Sequence, residues 1–321
     1  SWFLNCISSV FWHNTILKFW MITTGSDKSA RCKMKIFDCH IHLFPNKVIR
    51  NVQQKTEMVE RLKLQTDGVE KRTTAETLQA ELAVAGVDGA MMLPTASASN
   101  VRRTNRSCID TAAAYPFLMT AGTLHPADPD LDREIAYLQH HRIRMIKLCS
   151  FSQGFELAGA GATRLFGAIE SANRTPDAPF AVILDTLRTA DRHFGTPREH
   201  TTTPKHLAYL ADRYPGINFI GAHMGGLDAP CAEIRRHLTP RPNLYLDTSN
   251  AAHTLSTTEF CELVEVHGPD HILFGTDWPW FSHKKEIGLI DGLLEKAGFN
   301  DSEKSRVFQL NIIRLLGIKN L

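Results

Sequence analysis

Two histidines one residue apart, His40 and His42, close the apolar, β-prone run Lys35-Ile-Phe-Asp-Cys-His-Ile-His-Leu-Phe44. Residues two apart on a strand point the same way, so the run predicts Asp38, His40 and His42 on one face. Cys39, Ile41 and Leu43 take the other. Two imidazoles so placed can bind one metal ion with no change beyond rotamer choice. The same chemistry returns downstream. Phe219-Ile-Gly-Ala-His223 is an apolar run ending in histidine, and His271-Ile-Leu-Phe-Gly-Thr-Asp277 is one ending in aspartate. An aspartate buried at such a place is costly unless it is paired, hydrogen-bonded or bound to metal.

These residues need a scaffold that gathers strand ends. After a polar, helical stretch at 45–73, the chain alternates strand and helix. Strands are expected at 89–94, 117–124, 144–149, 179–185, 217–223, 243–247 and 272–277. Helices are expected at 74–85, 107–115, 131–141, 164–172, 204–214, 231–238, 257–266, 285–297 and 302–316. With the first strand this gives about eight β-α units, the number that a (β/α)₈ TIM barrel needs. The fold class is therefore α/β, with a helical insertion after the first strand. In such a barrel the carboxyl ends of the strands form the active-site face, and the insertion at 45–73 rises over it as a lid or as a solvated excursion.

A length of 321 residues suits one such domain, at 34–321. Residues 1–33 look different: apolar and aromatic, broken by Asn5, His13 and Asn14, with no charge before Lys18. They read as a leader outside the fold, with Met34 or Met21 as the start, rather than as a signal peptide or membrane anchor. Lys+Arg 36 against Asp+Glu 34 leaves no electrostatic footprint for nucleic acid or an anionic membrane. Seven scattered cysteines with no C-x-x-C pair argue against a disulfide framework and for a reducing, cytoplasmic setting.

Four motifs, in order, resemble the amidohydrolase superfamily, in its amidohydrolase-related branch that includes aminocarboxymuconate-semialdehyde decarboxylase-like enzymes. They are Asp38-Cys-His-Ile-His42, Ala222-His-Met-Gly-Gly226, Asn243-Leu-Tyr-Leu-Asp-Thr-Ser249 and Ile272-Leu-Phe-Gly-Thr-Asp-Trp-Pro279. The resemblance implies one divalent metal ion, Zn²⁺ first and Mn²⁺ as the alternative. It makes Asp277 a ligand that can take a proton from bound water, and places His223 beside the metal to polarise water or substrate. It gives Asp247 and Thr248 a structural role. Such barrels are often homodimers.

One position departs from the family pattern. The fifth strand usually ends in a ligating histidine, whereas here the run is Val182-Ile-Leu-Asp-Thr186. Asp185 ligates in its place, or His193 substitutes from the following loop, or the metal is weakly held or lost; the first is favoured. Lys147, ending the fourth strand, is expected to contact an anionic substrate. Arg103, in the cluster Arg102, Arg103 and Arg106, is a candidate carboxylate clamp or a solvated helix start. Trp278 is a candidate pocket wall or core residue, and His125 a pocket or loop histidine. The expectation is a metal-dependent hydrolase of a small carboxylated lactone, amide or ester. Its alternatives are a non-oxidative decarboxylase on the same scaffold and a metal-free binding barrel.

Overall fold

Short runs of buried apolar residues, each followed by a helix, recur along the chain in a computed structural model that describes residues 34–175 and 179–318. The reading of 1–33 lies outside the described residues. The strands are β1 (Phe37–Ile41), β2 (Gly89–Met92), β3 (Leu118–Thr120), β4 (Gly122–Thr123), β5 (Met145–Leu148), β6 (Ala181–Leu184), β7 (Asn218–Gly221), β8 (Leu244–Asp247) and β9 (Ile272–Leu273). All their pairings are parallel, in the orders β1-β2-β3 and β4 through β9. Because β3 and β4 are two halves of one strand broken at Ala121, the barrel has eight staves. The Asn105 side chain grips the break, accepting from Thr123 N at 2.8 Å and donating to Thr123 O at 2.9 Å.

Backbone hydrogen bonds close the ring. Cys39 N donates to Phe274 O at 2.9 Å, Asp277 N to His40 O at 2.9 Å and His42 N to Trp278 O at 2.7 Å. Strand alternation then divides the core. Phe37, Met91, Met145, Ile183, Ile220, Tyr245 and Leu273 form a cluster fed by strands and by Ile312 and Leu316 of the last helix, which makes it the barrel lumen with a stopper. The intervening residues, such as Ala90, Ile146, Val182 and Leu246, pack outward against the helices. The elements start and stop where the local chemistry says they should. Helix Ala75–Ala85 begins at a Thr74–Thr77 capping box and ends at Gly86, whose φ of 74° is left-handed.

The insertion folds as two helices, Asn46–Gln53 and Thr56–Arg61, and a turn at Val69–Lys71. Ile49, Val52, Met58, Leu62 and Val69 pack on Leu187, Ala190, Leu227, Trp280 and Phe281, from the loops after β6, β7 and β9. Salt bridges Arg61–Asp228 and Arg192–Glu57 clasp its rim, and Arg72 Nη2 donates to Pro279 O at 2.8 Å. It sits over the carboxyl ends of the strands. Among the described residues no helix is long and apolar enough to cross a membrane.

Candidate metal centre and active site

The register of β1 slips between Asp38 and Ile41, and that bulge decides which side chains meet. His40 and His42 turn their Nε2 atoms toward each other at 3.1 Å. Asp38 does not join them, contrary to simple strand parity. Its carboxylate bonds instead to His40 N at 2.9 Å and to Thr276, because the bulge breaks the alternation. Asp277 completes the group, its Oδ1 3.8 Å from His40 Nε2 and 3.6 Å from His42 Nε2. All three residues are buried.

The outer nitrogens of both rings are committed. His40 Nδ1 lies 2.8 Å from Asp247 Oδ2, and His42 Nδ1 lies 3.0 Å from Leu93 O. A carboxylate and a carbonyl only accept, so each Nδ1 carries the hydrogen and each Nε2 presents a lone pair. Two lone pairs aimed at one point 3.1 Å across repel unless a cation stands between them. The surroundings agree. Burial, then the neighbouring Asp185, pushes the Asp277 carboxyl well above its usual range. Burial, then His40 and Lys147, drives the His42 imidazole well below its own. Burial thus favours the neutral form of both groups, and the donor set of two imidazoles and a carboxylate fits a divalent ion.

His223 follows β7 with a left-handed φ of 57°. Its N–H donates to Asp247 Oδ1 at 2.9 Å. The ring Nδ1 lies 2.8 Å from Ser249 Oγ, which itself donates to Asp247. The Nδ1 hydrogen is therefore used on Ser249, leaving Nε2 as the free base. Burial, then His40, lowers the His223 pKa to about 4, so the ring is neutral near pH 7. For Asp247, burial pulls the carboxyl up, but His40, His223 and Ser249 outweigh it and hold it far below the usual range. Asp247 thus orients two imidazoles at once. That positioning role is of the structural kind expected for Asp247, while Ser249, the last residue of the same motif, had been assigned no role of its own. The available signal was the one used for Asp277: an aspartate ending an apolar run.

Asp185 follows β6 directly but does not enter the group of His40, His42 and Asp277, whose ligand atoms lie within 4.8 Å of one another. It faces Lys147, with Oδ2 3.7 Å from Nζ. Burial alone would raise the Asp185 carboxyl, yet Lys147 and His223 bring it below its ordinary value. Lys147 is 1% exposed and its Nζ makes no hydrogen bond. His193 lies in the helix Ala190–Phe194, where Asp228 and Glu57 of the lid rim act on it, and is not brought to the cluster. His125 is a loop histidine, donating from Nε2 to Gln153 O at 2.8 Å and accepting Ala127 N at 3.1 Å.

For two further candidates the structure favours the plainer of the alternatives. Trp278 is fully buried in the helix-facing core, and its indole N–H donates to Glu81 at 2.9 Å, so it is a packing residue and not a pocket wall. Arg103 is exposed on the helix Val101–Ala114, while its neighbours Arg102 and Arg106 turn to Asp130 and Glu134. That cluster is a solvated helix start. Burial pushes the Cys149 thiol up to about 12 and that of Cys39 well above its normal value, which disfavours the nucleophilic thiolate at both.

Residues 37–318 match the model of the family described as Amidohydrolase. No curated protein matches. Among solved structures, an uncharacterised TIM-barrel protein from Bordetella bronchiseptica is 17% identical at a TM-score of 0.69, covering 88% of this chain and 98% of that one. The 5-carboxyvanillate decarboxylase from Sphingomonas paucimobilis is 19% identical at 0.63, covering 89% and 100%. The enzyme of that name from Novosphingobium aromaticivorans, complexed with manganese and a nitrobenzoic acid, is 16% identical at 0.65, covering 89% and 96%. Likeness at this identity speaks to the fold, a TIM barrel. The family match covers the whole of that barrel, from the strand that carries the two histidines to the helix that stoppers the lumen, and on it the chain belongs to the amidohydrolase family.

Proposed function

We propose that the protein is a metal-dependent, non-oxidative decarboxylase of a small aromatic or dienoic carboxylic acid. The observation that carries this reading is Lys147, a buried ammonium with no hydrogen-bond acceptor, set among the imidazoles and carboxylates at the barrel mouth. Asp185 Oδ2, 3.7 Å from Nζ, supplies an opposite charge but no hydrogen bond, so the buried ammonium keeps its donors for another acceptor. A substrate carboxylate fits that place. The decarboxylases among the similar folds support this choice over the hydrolase expected first from the sequence.

His40, His42 and Asp277 would hold the ion, and Asp185 stays with Lys147 in this assignment. When bound, the divalent ion supplies positive charge that orients an oxygen of the substrate and draws electron density from the reacting carbon. Lys147 fixes the carboxylate, and the apolar underside of the insertion keeps water away while a charged group becomes neutral CO₂. The carbon–carbon bond breaks, and its electron pair takes a proton handed on from water through Asp277. Solvent then reprotonates Asp277. His223, neutral and fixed by Ser249, donates no charge and positions an oxygen or water.

Hydrolysis is the second reading, favoured by the family's own description and by Asp277, which in its ionised form is placed to take a proton from water. Purified protein supplied with Mn²⁺ or Zn²⁺ separates the two. Release of CO₂ from hydroxylated benzoates or dienoic acids is the expected result. Turnover of a lactone, ester or amide panel without CO₂ would establish the hydrolase instead. The free cysteines among the described residues agree with a reducing, cytoplasmic location.

A further inference from the structure

We propose that Glu81, His283 and Asp38 form a charged strut that locks the metal-binding residues in place from outside the barrel wall, as positioning residues. The inference rests on the metal reading above and concerns a cluster that the reaction itself does not touch. His283 is 0% exposed and opens the helix His283–Lys296. Its Nδ1 lies 3.1 Å from Glu81 Oε1 and its Nε2 3.1 Å from Asp38 Oδ2, the second contact an ion pair bent away from hydrogen-bond geometry. A ring with a carboxylate at each nitrogen is stabilised as the imidazolium. The three groups therefore make one buried array, carboxylate–imidazolium–carboxylate.

What the array holds is the ligand pair. Asp38 bonds to His40 N at 2.9 Å and to Thr276 N at 3.1 Å, and accepts the Thr276 hydroxyl as well. It thereby ties the strand bearing His40 to the residue before Asp277. Glu81 accepts the Trp278 indole N–H at 2.9 Å and His283 N at 3.0 Å, and so ties the residue after Asp277 to the helix Ala75–Ala85. Asp277 is flanked on both sides by anchored neighbours. This matters because Asp277 sits at a left-handed φ of 62°, which a non-glycine residue keeps only under constraint. Without the imidazolium, two carboxylates would be left facing a buried gap, and the turn at 275–278 would lose its fixed distance from β1.

The test compares Mn²⁺ affinity by equilibrium dialysis with thermal midpoint, both on the full chain. The variants are His283→Gln, Glu81→Gln and a control, His253→Gln. His253 is also paired with a buried carboxylate, Glu286 at 2.8 Å, and stacks on Phe281, but neither partner bonds to His40, His42, Asp277 or the residues next to them. We expect His283→Gln and Glu81→Gln to weaken Mn²⁺ binding about tenfold or more. His253→Gln should lower the thermal midpoint comparably and leave Mn²⁺ affinity within about twofold. If His283→Gln does not fold, Glu81→Gln is decisive by itself, since Glu81 is partly exposed and tolerates the change. Loss of midpoint in either variant without loss of affinity overturns the strut. Wild-type protein that binds no Mn²⁺ or Zn²⁺ overturns the metal reading itself, and is distinguishable because it shows before any variant is made.

Discussion

Asp277 does two jobs that its environment sets against each other. As an anion it completes the proposed donor set with His40 and His42, and as a relay it hands on the proton that the leaving carbon needs. Replacing it with asparagine keeps the shape and removes both. Asp277→Asn should cut kcat by about 10²-fold to 10⁴-fold, the usual range for a positioned acid or base, and should lower bound metal measured by plasma mass spectrometry. Asp247 acts one bond further out, through His40 Nδ1 at 2.8 Å and His223 N at 2.9 Å. Asp247→Asn presents an amide that can reverse the His40 tautomer, so Mn²⁺ affinity should fall by about 10-fold to 100-fold. Asp185→Ala discriminates the remaining assignment at this position. Metal retained in that variant, with a raised KM for the carboxylate substrate, is the outcome expected from its pairing with Lys147.

Among the elements, the turn between β9 and Asp277 is the least forgiving. A Cβ on Gly275 would sit 2.8 Å from His40 Cβ, so Gly275→Ala must push the two ligand-bearing segments apart. Its expected cost is about 1–3 kcal/mol in urea unfolding, as for other overpacked sites, together with weaker metal binding. The insertion is held differently, by apolar packing below and by salt bridges at its rim. Arg61 is half exposed, so Arg61→Ala should cost less than about 1 kcal/mol of global stability. It should nonetheless speed proteolysis within 55–73, where the rim is clasped. Strands and helices were legible in the sequence because short continuous apolar runs, as parallel strands buried on both faces show, alternate with helical segments; Thr74 and Gly86 bound their helix as the rules require. His40, His42, His223 and Asp277 were legible because each ends such a run. The part Asp38 plays was not, since one bulge reversed its face. His283 and Glu81 lie on surrounding helices, where a histidine and a glutamate look like any solvated pair until the fold buries them.

The molecule as a whole should show opposed pH limits traceable to named histidines. Burial lowers His267 to about 4, below its ordinary 6.5. The unfolded chain then binds more protons between those values, so this contribution is present above pH 6.5 and is lost as pH falls toward 4. His283 runs the other way. Burial would lower it, but Asp38 and Glu81 raise it from 6.5 to about 9, so its contribution is full below 6.5 and disappears as pH rises through 9. Each shift corresponds to about 3 kcal/mol at most. Urea midpoints measured from pH 4 to 10 should trace a dome, with His267→Gln flattening the acid limb and His283→Gln the alkaline one.

Ile312 and Leu316 close the lumen at the end away from the metal-binding residues. With the packed lumen behind them, the metal-binding residues face the side that the insertion covers, and that side is the doorway expected for both metal and substrate. Metal has to arrive before substrate, and a molecule resting in the doorway bars the way out behind it. A tight carboxylate inhibitor should therefore slow the stripping of Mn²⁺ by a chelator, and washing the inhibitor away should restore the original rate.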